Sequence, residues 1–222
     1  MTICLVTDRR RLGAAVGAGP AGWADALEQQ VRAAAAGGID LVQVREPDVE
    51  AAELVALVER LVAASAGTGT RVVVNDRMDV ALAAGAAGVH LKERSYGPAN
   101  ARALAPNGFL IGCSVHSAAA AVGKRDAQYL MAGTVLPTIS KPESPLLGWE
   151  GLAAAVAAAA GTPVLAIGGI DLPSMSLLAS SGAAGLAAIG AFIPPAGQEI
   201  YEFVQKRVID MRLAFDYTRT VF

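Results

Sequence analysis

Short apolar runs alternate along the chain with longer stretches whose apolar positions recur every three or four residues. The short runs fall near residues 2–7, 41–46, 71–76, 88–91, 109–115, 129–133, 163–168 and 185–190, bounded by Gly, Pro, Asp or Asn. Their apolar character is nearly continuous, which predicts strands buried on both faces. The longer stretches fall near 23–36, 50–65, 78–85, 98–104, 117–124, 148–159, 172–180 and 198–213, and predict helices. Within 50–65, Leu54, Leu57, Val58, Leu61 and Val62 share one face, while Glu53, Glu59 and Arg60 fall elsewhere.

Three of the approaches to a strand have one form: Ala35-Ala36-Gly37-Gly38-Ile39-Asp40-Leu41, Ala83-Ala84-Gly85-Ala86-Ala87-Gly88-Val89 and Ser180-Ser181-Gly182-Ala183-Ala184-Gly185-Leu186. Each ends a helix in small residues, stops it with Gly, and enters an apolar strand. Strict alternation of strand and helix predicts a parallel sheet. Eight such units in 222 residues predict a closed (β/α)8 TIM barrel, read as a single domain over 1–222 with its core at about 2–193. Residues 151–170 carry no charge and are long enough to span a bilayer. Gly161-Thr162-Pro163 interrupts them, so they read as a helix and then a buried strand, with no membrane partner.

Charge alters this picture little. The formal net charge is −2, which gives no electrostatic reason for a nucleic-acid partner. The basic run Arg9-Arg10-Arg11 reads as a solvated loop. Cys4 and Cys113 both lie in strand-like runs and build no disulfide framework, which suits a reducing, cytoplasmic setting. The N-terminal Met-Thr-Ile-Cys-Leu-Val-Thr-Asp reaches a charge too soon for a signal peptide.

In a parallel barrel the C-terminal strand ends form the active face, and the polar residues gather there. Thr7-Asp8, Gln43, Arg45, Glu46, Asn75-Asp76-Arg77, His90, Ser114 and His116 all lie at or just past a strand. Gly168-Gly169 and Gly190 end the last two strands, where backbone amides can approach an anion, aided by a helix starting near Asp171. Thr138-Ile139-Ser140-Lys141 offers two hydroxyls and an ammonium, a set that suits phosphate oxygens. Asp76 is a candidate Mg²⁺ ligand or a structural acid paired with Arg45 or Arg77. His116 has the chemistry of a proton shuttle, while His90, flanked by Val89 and Leu91, reads as a satisfied interior histidine.

These motifs resemble one family. Leu-Val-Thr-Asp (5–8), Leu-Val-Gln-Val-Arg-Glu (41–46), Val-Asn-Asp-Arg-Met-Asp-Val-Ala-Leu (74–82), Gly-Val-His-Leu (88–91), Ile-Gly-Cys-Ser-Val-His-Ser (111–117), Leu-Pro-Thr-Ile-Ser-Lys-Pro (136–142), Leu-Gly-Trp-Glu-Gly-Leu (147–152) and Ala-Ile-Gly-Gly-Ile (166–170) look like thiamin phosphate synthase and its TenI-type relatives, in order from about residue 3 to 193. The resemblance implies a barrel enzyme of thiamin biosynthesis acting on small phosphorylated thiazole and pyrimidine metabolites. It implies that Gln43, Arg45, Asn75, Ser114 and Lys141 contact a hydroxymethylpyrimidine diphosphate. Thr138, Ser140, Gly169, Ile189 and Gly190, with Gly168 beside them, would hold a thiazole phosphate, and Asp76 would hold Mg²⁺. Two positions depart from the synthase pattern: Pro47 stands where a lysine is expected, and Ser95 where a second Mg²⁺ aspartate is expected. These losses, with the Arg94-Ser95-Tyr96-Gly97-Pro98 loop and Ser114-Val115-His116-Ser117, favour a TenI-like thiazole tautomerase with His116 as catalytic residue and no cofactor. Thiamin phosphate synthase with Mg²⁺ is the alternative, and a non-catalytic thiazole or thiamin phosphate-binding regulator is the reading from another class. The sequence leaves open a homo-oligomer and the order of residues 9–22 and 92–97.

Overall fold

The structure is a computed structural model that describes residues 1–140 and 142–221, with side chains through Thr218 apart from position 141. Among these residues the strands are β1 (Thr2–Val6), β2 (Leu41–Val44), β3 (Arg71–Asn75), β4 (Gly88–Leu91), β5 (Leu110–Val115), β6 (Tyr129–Ala132), β7 (Val164–Ile167) and β8 (Gly185–Ala188). They pair in parallel in sequence order, and β8 returns to β1, so the sheet closes as a barrel. Eight crossover helices follow the strands: α2 (Trp23–Ala36), α3 (Ala51–Ala64), α4 (Met78–Ala83), α5 (Pro98–Leu104), α6 (Ala118–Val122), α7 (Gly148–Ala158), α8 (Met175–Ser180) and α9 (Ile200–Val221). The last runs further than the expected 198–213. No described helix is long and apolar enough to cross a membrane.

Strand period two divides the core. Ile3, Leu5, Val42, Val72, Val74, Val89 and Ile111 point outward and join the apolar faces of the helices in one large cluster. Leu54, Leu57, Val58 and Leu61 of α3 belong to it, each side chain contributing about 1.5–3 kcal/mol on burial. The inward positions form a second, smaller cluster of Cys4, Val6, Leu41, Tyr129, Met131, Leu165 and Ala187. Registers such as Val6↔Gln43, Asn75↔His90 and Ser114↔Met131 place polar side chains on that same inner face, toward its C-terminal end. Gly112 is required here, because a Cβ at that position would stand 2.1 Å from the Tyr129 ring. Cys4 and Cys113 are both buried and free.

One element was not expected. Arg9-Arg10-Arg11 is no solvated loop; it opens an additional helix, α1 (Arg9–Val16), inserted between β1 and α2. The Asp8 carboxylate accepts a hydrogen bond from the Arg11 amide at 3.0 Å and caps it. Glu46 anchors it from just past β2, accepting from the Thr7 hydroxyl at 2.6 Å and from the Arg9 guanidinium at 3.0 Å. Arg9 also pairs with Asp48 at 2.6 Å, and Arg10 reaches the same carboxylate. The 9–22 stretch is thus a helix, then a 3₁₀ turn at Pro20–Gly22 that leads into α2.

Candidate active site at the barrel mouth

A cavity of about 550 Å³ opens at the C-terminal ends of the strands, within the size range of small-molecule sites. One side of its wall carries Gln43, Arg45, Asn75 and Ser114, from β2, β3 and β5. The other side carries Thr138 and Ser140, from the β6–α7 loop, with Gly168, Gly169, Ile189 and Gly190 after β7 and β8. His116 and His90 line it as well. Gln43, Asn75, Ser114, His116 and the two glycine turns therefore share one cavity, whereas Asp76 is not among its lining residues. Lys141 lies outside the described residues.

The floor is a fixed hydrogen-bonded chain. His90 is buried, with Nδ1 3.1 Å from the Tyr129 hydroxyl and Nε2 2.8 Å from Ser114 Oγ. Burial pushes the His90 imidazole down to about 3, against a small opposing pull from Asp76, so the ring is neutral at neutral pH. Burial also raises the Tyr129 phenol, which stays protonated. Both ring nitrogens are engaged, Nδ1 by the Tyr129 phenol and Nε2 by the Ser114 hydroxyl, so the ring is held in place on the cavity floor. His90 is thus both satisfied, as expected, and part of the cavity wall.

The glycine turn after β7 has left-handed backbone, with φ of 102° at Gly168 and 68° at Gly169. A Cβ at Gly168 would stand 2.5 Å from Thr134 Cγ2, and one at Gly169 2.6 Å from the Pro137 carbonyl oxygen. The amides of Val135 and Leu136 donate to the carbonyls of Ile167 and Gly168 at 2.9 and 3.0 Å. These glycines therefore clamp the β6–α7 loop onto the rim as well as shaping the cavity. The helix expected from Asp171 begins as a 3₁₀ turn at Leu172–Ser174 and continues only through the six residues of α8. Its dipole is correspondingly small, and Asp171 itself lines the cavity. After β8, Gly190–Phe192 forms another 3₁₀ turn, tied to α2 where Gln30 Nε2 donates to the Phe192 carbonyl at 2.8 Å.

Asp76 departs from expectation. It pairs with neither Arg45 nor Arg77: Arg77 takes Asp79 at 2.7 Å, while Asp76 holds Lys92 Nζ at 2.9 Å and accepts a short hydrogen bond from Ser95. Burial raises the Asp76 carboxyl, but the Ser95 and Lys92 hydrogen bonds outweigh it and hold the group below its usual range. Lys92 lines the cavity in its place. Among the described residues, no cluster of three or more His, Cys, Asp and Glu stands together. The set Asp76 and Ser95 already attracts one cation, the Lys92 ammonium, so it fits a single Mg²⁺ that arrives on a phosphorylated ligand but makes no complete site for a resident ion. The exposed Lys92 pair is worth only about 0–1 kcal/mol, little hindrance to such exchange.

His116 is half-exposed at the rim, and Glu93 Oε2 accepts from its backbone amide at 2.7 Å and from its ring Nδ1 at 2.8 Å. Burial raises Glu93, yet the His116 contacts prevail and lower it, so the carboxylate is ionised at neutral pH. Nδ1 is thus committed to Glu93, which leaves Nε2 as the ring nitrogen facing away from that carboxylate. Sequence reasoning assigned no role to Lys92, Arg11 or Arg207, all in the cavity wall. For Arg11 the available signal was Asp8, an N-cap residue just past β1.

The closed parallel barrel with a polar C-terminal mouth defines a (β/α)8 barrel with its candidate site at the C-terminal strand ends. Comparison with known proteins makes this specific. A family model described as Thiamine monophosphate synthase matches residues 12–192, and the chain belongs to that family, the thiamin phosphate synthase/TenI enzymes. A relative from Geobacter sulfurreducens, named putative thiamine-phosphate synthase, is 39% identical over 195 residues, 86% of each chain. One from Methanoculleus marisnigri, named thiamine-phosphate synthase, is 38% identical over 165 residues, 73% of this chain and 78% of its own. The solved structure of a thiamine phosphate pyrophosphorylase from Pyrococcus furiosus superposes with a TM-score of 0.79 at 29% identity, covering 98% of this chain and 96% of its own.

Proposed function

We propose that this chain is a thiamine-phosphate synthase, joining hydroxymethylpyrimidine diphosphate to a thiazole phosphate with release of diphosphate. This reverses the order favoured by Pro47 and Ser95 alone. The observation that carries the reading is a single cavity whose wall holds both sets of polar groups, Arg45 and Asn75 at the ends of β2 and β3, and Ser140, Gly169 and Gly190 following β6, β7 and β8. A tautomerase acting on one thiazole phosphate needs only the second set. The names of the relatives at 36–39% identity, thiamine-phosphate synthase in several cases, agree with it.

In this reading the carbon–oxygen bond between the pyrimidine methylene and the diphosphate breaks, and the thiazole nitrogen forms a bond to that methylene. Gln43, Asn75 and the Ser114 hydroxyl orient the pyrimidine. Arg45 and Lys92, with Lys141 by family resemblance, offset charge on the departing diphosphate. The missing lysine at position 47 is thereby answered from the β4 side by Lys92. Thr138, Ser140, Gly169, Ile189 and Gly190 hold the thiazole phosphate. Mg²⁺ carried in by the diphosphate would take Asp76 and the Ser95 hydroxyl as its protein ligands and neutralise leaving-group charge. His116 and Glu93 shape the rim.

One observation favours the tautomerase as a second reading: His116, with Nε2 uncommitted to Glu93, lines the cavity. A paired assay decides between them. The synthase reading expects diphosphate release only when both substrates are present, with Mg²⁺ accelerating it. No diphosphate under any condition, together with metal-independent aromatisation of the thiazole carboxylate phosphate, would replace it with the tautomerase.

A further inference from the structure

The thiazole-phosphate end, as resemblance draws it, is neutral: two hydroxyls, three backbone positions and no cation. A monophosphate carries close to two negative charges at neutral pH, and Asp171 on the same wall adds another. The cation is supplied from outside the family motifs. Arg11 of α1 lines this cavity, and its Nη1 donates to Ser140 Oγ at 2.7 Å. Its Nη2 stands 3.3 Å from where a Cβ on Gly190 would lie. The guanidinium thus spans between two of the groups assigned to the phosphate.

The neighbouring arginines behave differently. Arg9 and Arg10 are both committed to Asp48, and Arg9 also to Glu46. Arg11 makes no ion pair among the described residues. A half-buried guanidinium aimed at a hydroxyl, with no carboxylate to neutralise it, is a site prepared for an anion. Arg207, from α9, lines the cavity too, but stacks over the Phe203 ring at 4.9 Å.

We infer that Arg11 is the phosphate-recognising cation of the thiazole subsite, and that α1 is retained between β1 and α2 to carry it there. This rests on the synthase reading for the identity of the ligand, though not for its phosphate chemistry. Arg11 binds substrate, and selects the phosphorylated thiazole over the free alcohol.

The test is equilibrium binding rather than turnover, with the full chain, thiazole phosphate, the dephosphorylated thiazole alcohol and inorganic phosphate. Arg11→Ala is expected to weaken thiazole phosphate about 10- to 100-fold, the span of a lost charged hydrogen bond, with the alcohol held within about twofold. Arg11→Lys restores part of the loss, because it keeps the charge but not the fork. Unchanged affinity for the phosphate in Arg11→Ala, or equal losses for phosphate and alcohol, overturns the inference, the second because it marks a role in holding the loop. Should the wild type bind no thiazole phosphate, the synthase reading falls, and inorganic phosphate decides the remainder. Thermal protection by phosphate in the wild type that Arg11→Ala abolishes upholds the assignment; protection unaltered in the variant, or absent from both, removes it.

Discussion

His90 sits at the base of the cavity between Tyr129 and Ser114, and replacing it with Asn or Gln should change how stability depends on pH. The imidazole has an ordinary value of 6.5 and is pushed down to about 3 by burial. Below pH 6.5 the unfolded chain therefore takes up a proton that the folded chain refuses. Stability from this group is intact above about pH 6.5 and declines as pH falls toward 3. Within that window each pH unit is worth about 1.4 kcal/mol, which integrates to about 2 kcal/mol between pH 7 and pH 5. The carboxylates of Glu46 and Glu93 titrate in both proteins, so a comparison of wild type with variant cancels them, and Asp76 opposes the His90 shift only slightly. Urea unfolding of wild type, His90→Asn and His90→Gln at pH 7 and pH 5 measures the quantity. The wild type should lose about 2 kcal/mol more than either variant over that interval. Equal losses, within the ~0.5 kcal/mol error of extrapolation, would mean that His90 protonates in place, and the neutral, buried ring on the cavity floor would have to be abandoned.

Further substitutions probe the rim and the anchor of α1. Gly169→Ala forces a side chain into left-handed backbone and against the Pro137 carbonyl; a loss of about 1–3 kcal/mol in urea unfolding is expected, with a raised KM for thiazole phosphate. Glu46→Gln keeps an acceptor for Thr7 but loses the charge shared with Arg9; because burial raises the Glu46 carboxyl and Arg9 keeps Asp48, the cost should be about 1–2 kcal/mol, and a variant as stable as the wild type would discount that anchor. His116→Ala and Glu93→Gln should leave diphosphate release within about threefold, since neither carries a proton in the synthase reaction; a drop of about 100-fold or more would return an acid–base role to His116.

The barrel was legible in the sequence because its signals are local and repeated. Apolar runs such as Leu41–Val44 and the small-residue helix ends before Leu41, Val89 and Leu186 say strand and stop without reference to anything distant. The site was legible to the extent that strand ends define it. Gln43, Asn75 and Ser114 must face the cavity once strand period and barrel closure are fixed. Where a side chain's partner lies on another unit, the same reasoning failed. Asp76 has arginines at 45 and 77 in view along the chain, but its actual partners, Lys92 and Ser95, follow the neighbouring strand, and register with β4 brings them together.

Arg11 marks the harder limit. Three consecutive arginines look solvated because charge repels charge and nothing apolar punctuates them. The fold resolves the repulsion by dispersing them, two to acidic groups following β2 and one across the mouth to Ser140, 129 positions away. Two requirements set that dispersal together, a cap at Asp8 that starts a helix and a carboxylate at Glu46 that fixes its first turn. With the first turn held, the third arginine lies roughly 200° around the helix from the first, about 100° per residue, so a strand-facing Arg9 sends Arg11 away from the Glu46 anchor. The cation at the phosphate end is thus specified by a helix start and a buried glutamate, neither of which carries a phosphate motif, and this is why the family motifs alone leave that end neutral.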